Sequence, residues 1–148
     1  MIRKYQPDIV LCNAIDDRHI DHPKGSDLVS SACFLSGLLK INSSIEGENQ
    51  EKWRPKQVYH YIQWKNIEPD FVLDVTGFID KKTDSVLAYS TQFYDQDSKE
   101  PETPITSKNF IDSINYRAKD LGRLIGVEYA EGFTTERYVA VENLSKLI

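Results

Sequence analysis

Short apolar runs alternate along this chain with longer segments whose apolar residues recur at helical spacing. Residues 9–14 form a short apolar run after Pro7, which predicts a buried strand. Residues 58–64 and 71–75 are further short runs of aromatic, β-branched and aliphatic side chains, which predict two more strands. Between the first two runs, the apolar residues within 28–39 recur at helical spacing, and Ser26 precedes them as their N-cap. The first half of the chain therefore predicts a strand, a helix and two strands.

The second half of the chain repeats this alternation. Residues 78–92 predict a helix, and the apolar positions within residues 110–125 predict a longer one. The longer helix has Ser107 as its N-cap and Gly126 as its stop. Two short strands complete the predicted elements: residues 129–133 and 138–141.

Strands that alternate with helices of about 10–15 residues indicate an α/β fold, with a largely parallel sheet and flanking helices. No internal repeat or linker divides the sequence, so we expect residues 1–148 to form a single domain. Residues 1–6 have the pattern of the last turn of a helix, and no strand precedes them. We therefore expect the chain to begin in the middle of an α/β alternation.

Composition argues against two large classes of function. The chain has 148 residues, of which 40% are hydrophobic, and its net charge of −5 argues against a nucleic-acid platform, which needs a basic face. No apolar run approaches the roughly 20 residues of a membrane helix, and no signal peptide is evident, so we expect a cytoplasmic protein. Cys12 and Cys33 lie in apolar stretches and are expected to be reduced and packed.

The candidate chemistry is concentrated in residues 16–22, between a predicted strand and a predicted helix, where open α/β sheets bind ligands. His19 and His22 are separated by Asp21. A neutral imidazole is a zinc ligand, and a carboxylate orients such a ring through its other nitrogen. The second imidazole suits a proton donor or an oxyanion stabiliser. The simpler interpretation of this stretch is a solvated polar turn.

The remaining candidate positions each have a structural interpretation beside a functional one. Arg18 suits a substrate anion but is also typical of a solvated loop. His60 lies within an aromatic run, which favours a packed strand histidine. Glu131 either lines a pocket or is a charge at the end of a strand. Structural interpretations also cover the other candidates: loop charges for Asp16 and Asp17, core or subunit interface for Tyr59, Tyr61 and Trp64, and packing for Cys33.

Several segments, taken in order, resemble the LmbE-like, PIG-L-type zinc deacetylases. The first is Arg18-His19-Ile20-Asp21-His22, which carries an H-x-D-H motif. This motif alone is moderately specific, and the combination of segments is more so. The other matching segments are residues 25–26, 32–35, 61–64, 90–93, 122–126 and 129–133.

The resemblance implies a Rossmann-like fold, one catalytic Zn²⁺ and hydrolysis of the N-acetyl group of a glucosamine glycoside. It is greatest to the members that act on N-acetylglucosaminyl malate in bacillithiol biosynthesis, and it implies a homo-oligomer. His22 would be a zinc ligand, and His19 would stabilise the oxyanion or protonate the leaving amine. Asp21 would tune an imidazole, and Arg18 would bind the malate carboxylates. A deacetylase of another N-acetylated sugar and a non-catalytic α/β binding module are the alternatives.

One departure from the family pattern affects the expected chemistry. These deacetylases carry an amino-terminal A-H-P-D-D motif, which supplies two zinc ligands and the general base, and this sequence contains no such motif. The chain therefore resembles the carboxyl-terminal part of a deacetylase, lacking that segment. We expect such a chain to bind zinc weakly or not at all, and to be inactive by itself.

Overall fold

The computed structural model describes residues 1–147, and these form two compact units. The first unit combines residues 1–71 with residues 132–147, and the second comprises residues 72–131. That residues 1–148 act as a single domain remains a prediction. The elements in chain order are α1 (Ile2–Tyr5), β1 (Ile9–Cys12), α2 (Asp21–Ser36), β2 (Ser44–Ile45), β3 (Glu48–Asn49), β4 (Gln57–Tyr61), β5 (Phe71–Asp74), α3 (Ile79–Leu87), α4 (Lys108–Ile125), β6 (Ala130–Thr135) and a 3₁₀ turn (Leu144–Lys146).

The main sheet has four strands in the order β1-β4-β6-β5, and β2 and β3 form a separate antiparallel hairpin. Strand β1 runs parallel to β4, whereas β6 pairs with β4 in the antiparallel direction. The predicted α/β fold is confirmed, with a mixed sheet. Because β1 and β4 are parallel, their carboxyl ends lie at the same edge of the sheet, and the loops that follow them are neighbours.

Strand β1 lies at one edge of the sheet, and its two faces differ. The side chains of Ile9 and Leu11 are exposed, whereas Cys12 is buried. The prediction of a buried strand is therefore wrong for one of its two faces, because nothing in the described residues covers that face. Cys33 is buried as well, and both cysteines are free thiols, as the sequence predicts. Burial, reinforced by the charge of Glu136, raises the pKa of the Cys12 thiol to about 11 and also raises that of Cys33. Both cysteines therefore pack as protonated thiols.

Helix α2 begins at Asp21, five residues before the predicted N-cap Ser26. Pro23 favours this earlier start, because proline is tolerated in the first turn of a helix. Ser26 is instead buried within the helix, and its hydroxyl lies 2.8 Å from Nδ1 of His60. At the other end, the buried Arg3 guanidinium donates to the carbonyl oxygens of Ser36 (2.9 Å) and Leu38 (2.9 Å), which ties the end of α2 to α1.

The second unit contains the long helix that the sequence predicts. The side chain of Ser107 accepts a hydrogen bond from the backbone N–H of Phe110, and Gly126 ends α4 with φ at 79°. Helix α3 ends at Leu87, so its predicted extension to residue 92 is wrong. The strand predicted at residues 138–141 is also wrong: these residues form no strand, and Tyr138 is almost fully exposed. No helix within residues 1–147 is long and apolar enough to cross a membrane.

Candidate active site

The loop after β4 contacts the loop after β1 at the edge of the sheet where both strands end. Lys65 Nζ lies 2.8 Å from the Asp16 carboxylate on the exposed side of this contact. On the inner side, the backbone N–H groups of Trp64 and Lys65 donate to Asp17. The interpretation of Asp17 as an ordinary loop charge is therefore wrong, since its side chain is completely buried.

Asp17 accepts hydrogen bonds at both carboxylate oxygens. Its Oδ1 lies 2.8 Å from the backbone nitrogen of Arg18, 2.9 Å from that of Lys65 and 3.1 Å from that of Trp64. Its Oδ2 lies 2.5 Å from Nδ1 of His22. Burial acts to raise the pKa of Asp17, but the hydrogen bonds from His22 and the three backbone groups outweigh it and lower that pKa. Asp17 is therefore an ionised, acceptor-only partner for His22 at neutral pH.

The Asp17 carboxylate determines which nitrogen of His22 carries the proton. An ionised carboxylate only accepts, so Nδ1 of His22 must be the donor in the 2.5 Å contact. In the neutral ring, Nε2 then carries the lone pair. His22 lies in the first turn of α2 and is half-buried. A ring anchored to a carboxylate through one nitrogen, with a lone pair on the other, is the form that a metal-binding histidine takes.

His19 lies beside His22, and its surroundings are more open. The two ring centroids are 5.5 Å apart, and the His19 side chain is 60% exposed. Nδ1 of His19 lies 3.3 Å from the backbone nitrogen of Asp21 and 3.8 Å from its carboxylate, which is also exposed. The structure thus places Asp21 near His19, whereas the carboxylate that orients His22 is Asp17. The catalytic roles of His19 and Asp21 remain predictions.

Arg18 is positioned by an aromatic ring from the loop that follows β4. Its guanidinium carbon lies 5.1 Å from the centroid of the Trp64 ring, a distance typical of a cation–π contact. Trp64 is thus part of this site and supports an exposed cation, rather than belonging only to a core. Tyr59 does pack as core, edge-on against Phe71 at 5.0 Å between ring centroids.

His60 and Glu131 have local partners that explain their positions. His60 is buried, as the sequence predicts for a packed strand histidine. Its Nδ1 lies 3.0 Å from the carbonyl oxygen of Asn13 and 3.2 Å from Cys12 Sγ, and its Nε2 lies 3.3 Å from Glu136. In the second unit, Glu131 forms an ion pair with Lys82. The ion pair favours the interpretation of Glu131 as a strand-end charge.

Metal-ligating side chains do not cluster in the part of the chain that the structure describes. Within residues 1–147, no group of three or more His, Cys, Asp or Glu side chains is placed to hold a metal ion. A catalytic zinc needs three protein ligands. His22 fits the part of one such ligand, and the donor set of a complete site is not present among the described residues.

Three solved structures place this architecture among known proteins, whereas no protein-family profile matches the sequence. The conserved protein TT1542 from Thermus thermophilus is 28% identical over 98% of this chain, with a TM-score of 0.78. N,N'-diacetylchitobiose deacetylase from Pyrococcus horikoshii is 21% identical over 90% of the chain (TM-score 0.68). GalB, the 4-carboxy-2-hydroxymuconate hydratase from Pseudomonas putida KT2440, is 20% identical over 97% of the chain (TM-score 0.67).

This chain spans less than two thirds of the length of each of these three proteins. It spans 59% of the Thermus protein, 57% of the hydratase and 47% of the deacetylase. The same fold therefore occurs in a hydratase and in a deacetylase. The fold does not choose between these activities, so the choice depends on the side chains of the site.

Proposed function

We propose that this chain carries the histidine half of a metal-dependent N-deacetylase site. Its substrate would be an N-acetylated glucosamine glycoside, and N-acetylglucosaminyl malate of bacillithiol biosynthesis is our specific candidate. The observation that carries the proposal is the anchoring of His22 by the buried Asp17, which leaves the Nε2 lone pair for a metal. The fold shared with a deacetylase supports it.

In this proposal the two histidines have different tasks. His22, held through Nδ1, would bind zinc through Nε2, and zinc would supply Lewis-acid polarisation of the acetamide carbonyl. His19 is more exposed and is not held by Asp17, so its ring is suited to donate a hydrogen bond or a proton to the substrate. This division matches the different hydrogen-bond environments of the two rings.

Further residues of the protein would complete the metal site, because His22 is a single ligand. The resemblance to the LmbE-like deacetylases points to an A-H-P-D-D segment as their source. Two features support the need for additional chain: the match covers 59% or less of each of the longer structures, and the exposed Ile9 and Leu11 lie on the edge strand β1. A further strand paired in parallel with β1 would bring its own carboxyl end to the site, and the helix that connects it to β1 would cover the exposed side chains.

The metal content of residues 1–148 tests the idea of a half-site. We expect the purified chain to retain well under one zinc per molecule after dialysis against a mild chelator, since a single imidazole holds zinc weakly. Zinc analysis by mass spectrometry gives the content, with His22→Ala as the control for binding at His22. Stoichiometric zinc that survives dialysis would show that these residues contain ligands beyond His22.

The activity itself is tested on a form of the protein that contains a complete metal site. We expect this form to release acetate from N-acetylglucosaminyl malate when zinc is bound. Acetate release only from other N-acetylated sugars would establish the deacetylase class and change the substrate. A zinc-loaded protein that binds such sugars without releasing acetate would be a binding module instead.

Arg18→Ala tests how the malate group would be recognised. A guanidinium binds a carboxylate through two charge-assisted hydrogen bonds, and Trp64 positions this one. We expect the variant to lower kcat/KM for the malate glycoside about tenfold or more, and to change kcat/KM for N-acetylglucosamine much less. Arg54 is a matched control, because it is another exposed arginine over an aromatic ring, that of Phe34. Equal losses on both substrates would assign Arg18 a structural role.

A further inference from the structure

Gln63 directs its side-chain amide at the nitrogen of His22 that Asp17 leaves unprotonated. Its Oε1 lies 3.2 Å from the backbone nitrogen of Ala14 and 3.3 Å from Nδ2 of Asn13. The Ala14 N–H can only donate, so this end of the amide must be the oxygen. The NH₂ end therefore faces His22, with 3.4 Å between Gln63 Nε2 and His22 Nε2.

We propose that Gln63 is a positioning residue for His22. Its NH₂ group donates a long hydrogen bond to the Nε2 lone pair, while the Asp17 carboxylate accepts a hydrogen bond from Nδ1–H on the opposite side of the ring. An amide NH₂ cannot accept a proton, so a protonated Nε2 would have no acceptor in Gln63. The two contacts hold His22 in one orientation and in the Nδ1–H tautomer.

This arrangement has a consequence for the division of labour between the histidines. In the neutral ring of His22 the proton faces Asp17, so His22 has none to give through Nε2, which leaves His19 as the imidazole able to donate one. A metal that takes the lone pair must first displace the Gln63 amide. Gln63 would therefore shield Nε2 until the metal arrives. This last step depends on the proposed function, whereas the tautomer and the shielding do not.

Nitrogen NMR on the ¹⁵N-labelled chain tests the tautomer directly. Long-range ¹H–¹⁵N spectra distinguish protonated from unprotonated ring nitrogens, and loss of a signal in His22→Asn identifies that of His22. We expect a protonated Nδ1 and an unprotonated Nε2 at alkaline pH, where an imidazole is neutral and only its tautomer is in question. In Gln63→Leu, the ¹⁵N chemical shift of Nε2 should move toward the value of an imidazole nitrogen that accepts no hydrogen bond, while Nδ1 stays protonated. At that pH, a protonated Nε2 in the parent chain, or an Nε2 resonance that Gln63→Leu leaves in place, would overturn the proposal.

Acylation by diethyl pyrocarbonate is a second test of the contact between Gln63 and His22. The reagent attacks an unprotonated imidazole nitrogen, so removal of the amide should speed the modification of His22 by roughly 2- to 12-fold, the factor that one net hydrogen bond is worth. His19 is the internal reference, and peptide mass spectrometry follows both sites. An unchanged rate ratio between His22 and His19 in the variant would contradict the shielding.

Matched variants separate this effect from a general loss of structure. Gln57→Leu removes another glutamine from the same region, at the start of β4, where the side chain contacts Arg137 rather than His22. It should leave both the Nε2 chemical shift and the acylation rate of His22 unchanged. If circular dichroism shows that Gln63→Leu does not fold, Gln63→Met removes the amide with less change in shape. Because neither measurement involves hydrolysis, a lack of deacetylase activity would refute the proposed function and leave the assignment of Gln63 intact.

Discussion

His22→Ala is expected to remove zinc and activity together from a complete form of the protein. His19→Ala is expected to keep the zinc and to lower kcat by about 10²–10³, the usual cost of removing one oxyanion donor. The difference follows from the two environments: Asp17 anchors the ring of His22, whereas the ring of His19 is exposed and carries no such anchor. Zinc analysis and steady-state kinetics on the same preparations measure both effects.

Two controls make the comparison of the histidines specific. Lys24→Ala changes an exposed residue on the first turns of the same helix and should leave both the zinc content and kcat unchanged. If His19→Ala loses the zinc and His22→Ala retains it, the two roles are reversed. If both variants are nearly silent, residues 16–22 are a polar turn without a catalytic task.

The place of the site could be predicted from the sequence, because it depends on local signals. An apolar run followed by the H-x-D-H motif predicts a polar site at the carboxyl end of a strand, and His19 and His22 do lie there. The bounds of α4 could also be predicted from the sequence, since Ser107 and Gly126 cap the helix through the backbone of residues beside them. Local chemistry was sufficient in both cases.

The partners of His22 could not be predicted in this way. Asp17 differs from Asp16 because it accepts hydrogen bonds from the backbone N–H groups of Trp64 and Lys65. Almost every residue has a backbone N–H, so the amino-acid sequence gives no indication of such donors. Gln63 acts on His22 from a loop 41 positions away in the sequence. Such contacts depend on the parallel pairing of β1 with β4, which brings the two loops together only in the folded chain.

The errors in secondary structure have the same origin. Ser26 has the sequence signature of an N-cap, but it lies inside α2, and its hydroxyl forms a hydrogen bond with the buried His60 of β4. Residues 138–141 have strand propensity but form no strand. Strand propensity measures how well a side chain fits a sheet, and it cannot create a sheet position for the residue.

Asp17→Ala is expected to destabilise the fold by about 4 kcal/mol or more. The substitution removes the acceptor for His22 Nδ1 and for three backbone N–H groups, and each buried donor left unsatisfied costs at least about 1 kcal/mol. Urea unfolding of the purified chain measures the loss. Asp16→Ala is the matched control, because the neighbouring carboxylate is exposed and pairs with Lys65, so its loss should stay within about 1 kcal/mol.

The contribution of Asp17 should also depend on pH in a defined direction. Hydrogen bonds lower its pKa in the folded state below the ordinary value of about 3.9, so its ionised form stabilises the fold at pH values above that value. As the pH falls below about 4, through the lowered pKa, the carboxylate is protonated and this stabilisation is lost. The difference in unfolding free energy between the parent and Asp17→Asn should therefore be constant above roughly pH 5 and shrink toward pH 2–3. A difference that stays constant over the whole range would mean that the ionised carboxylate of Asp17 does not stabilise this loop.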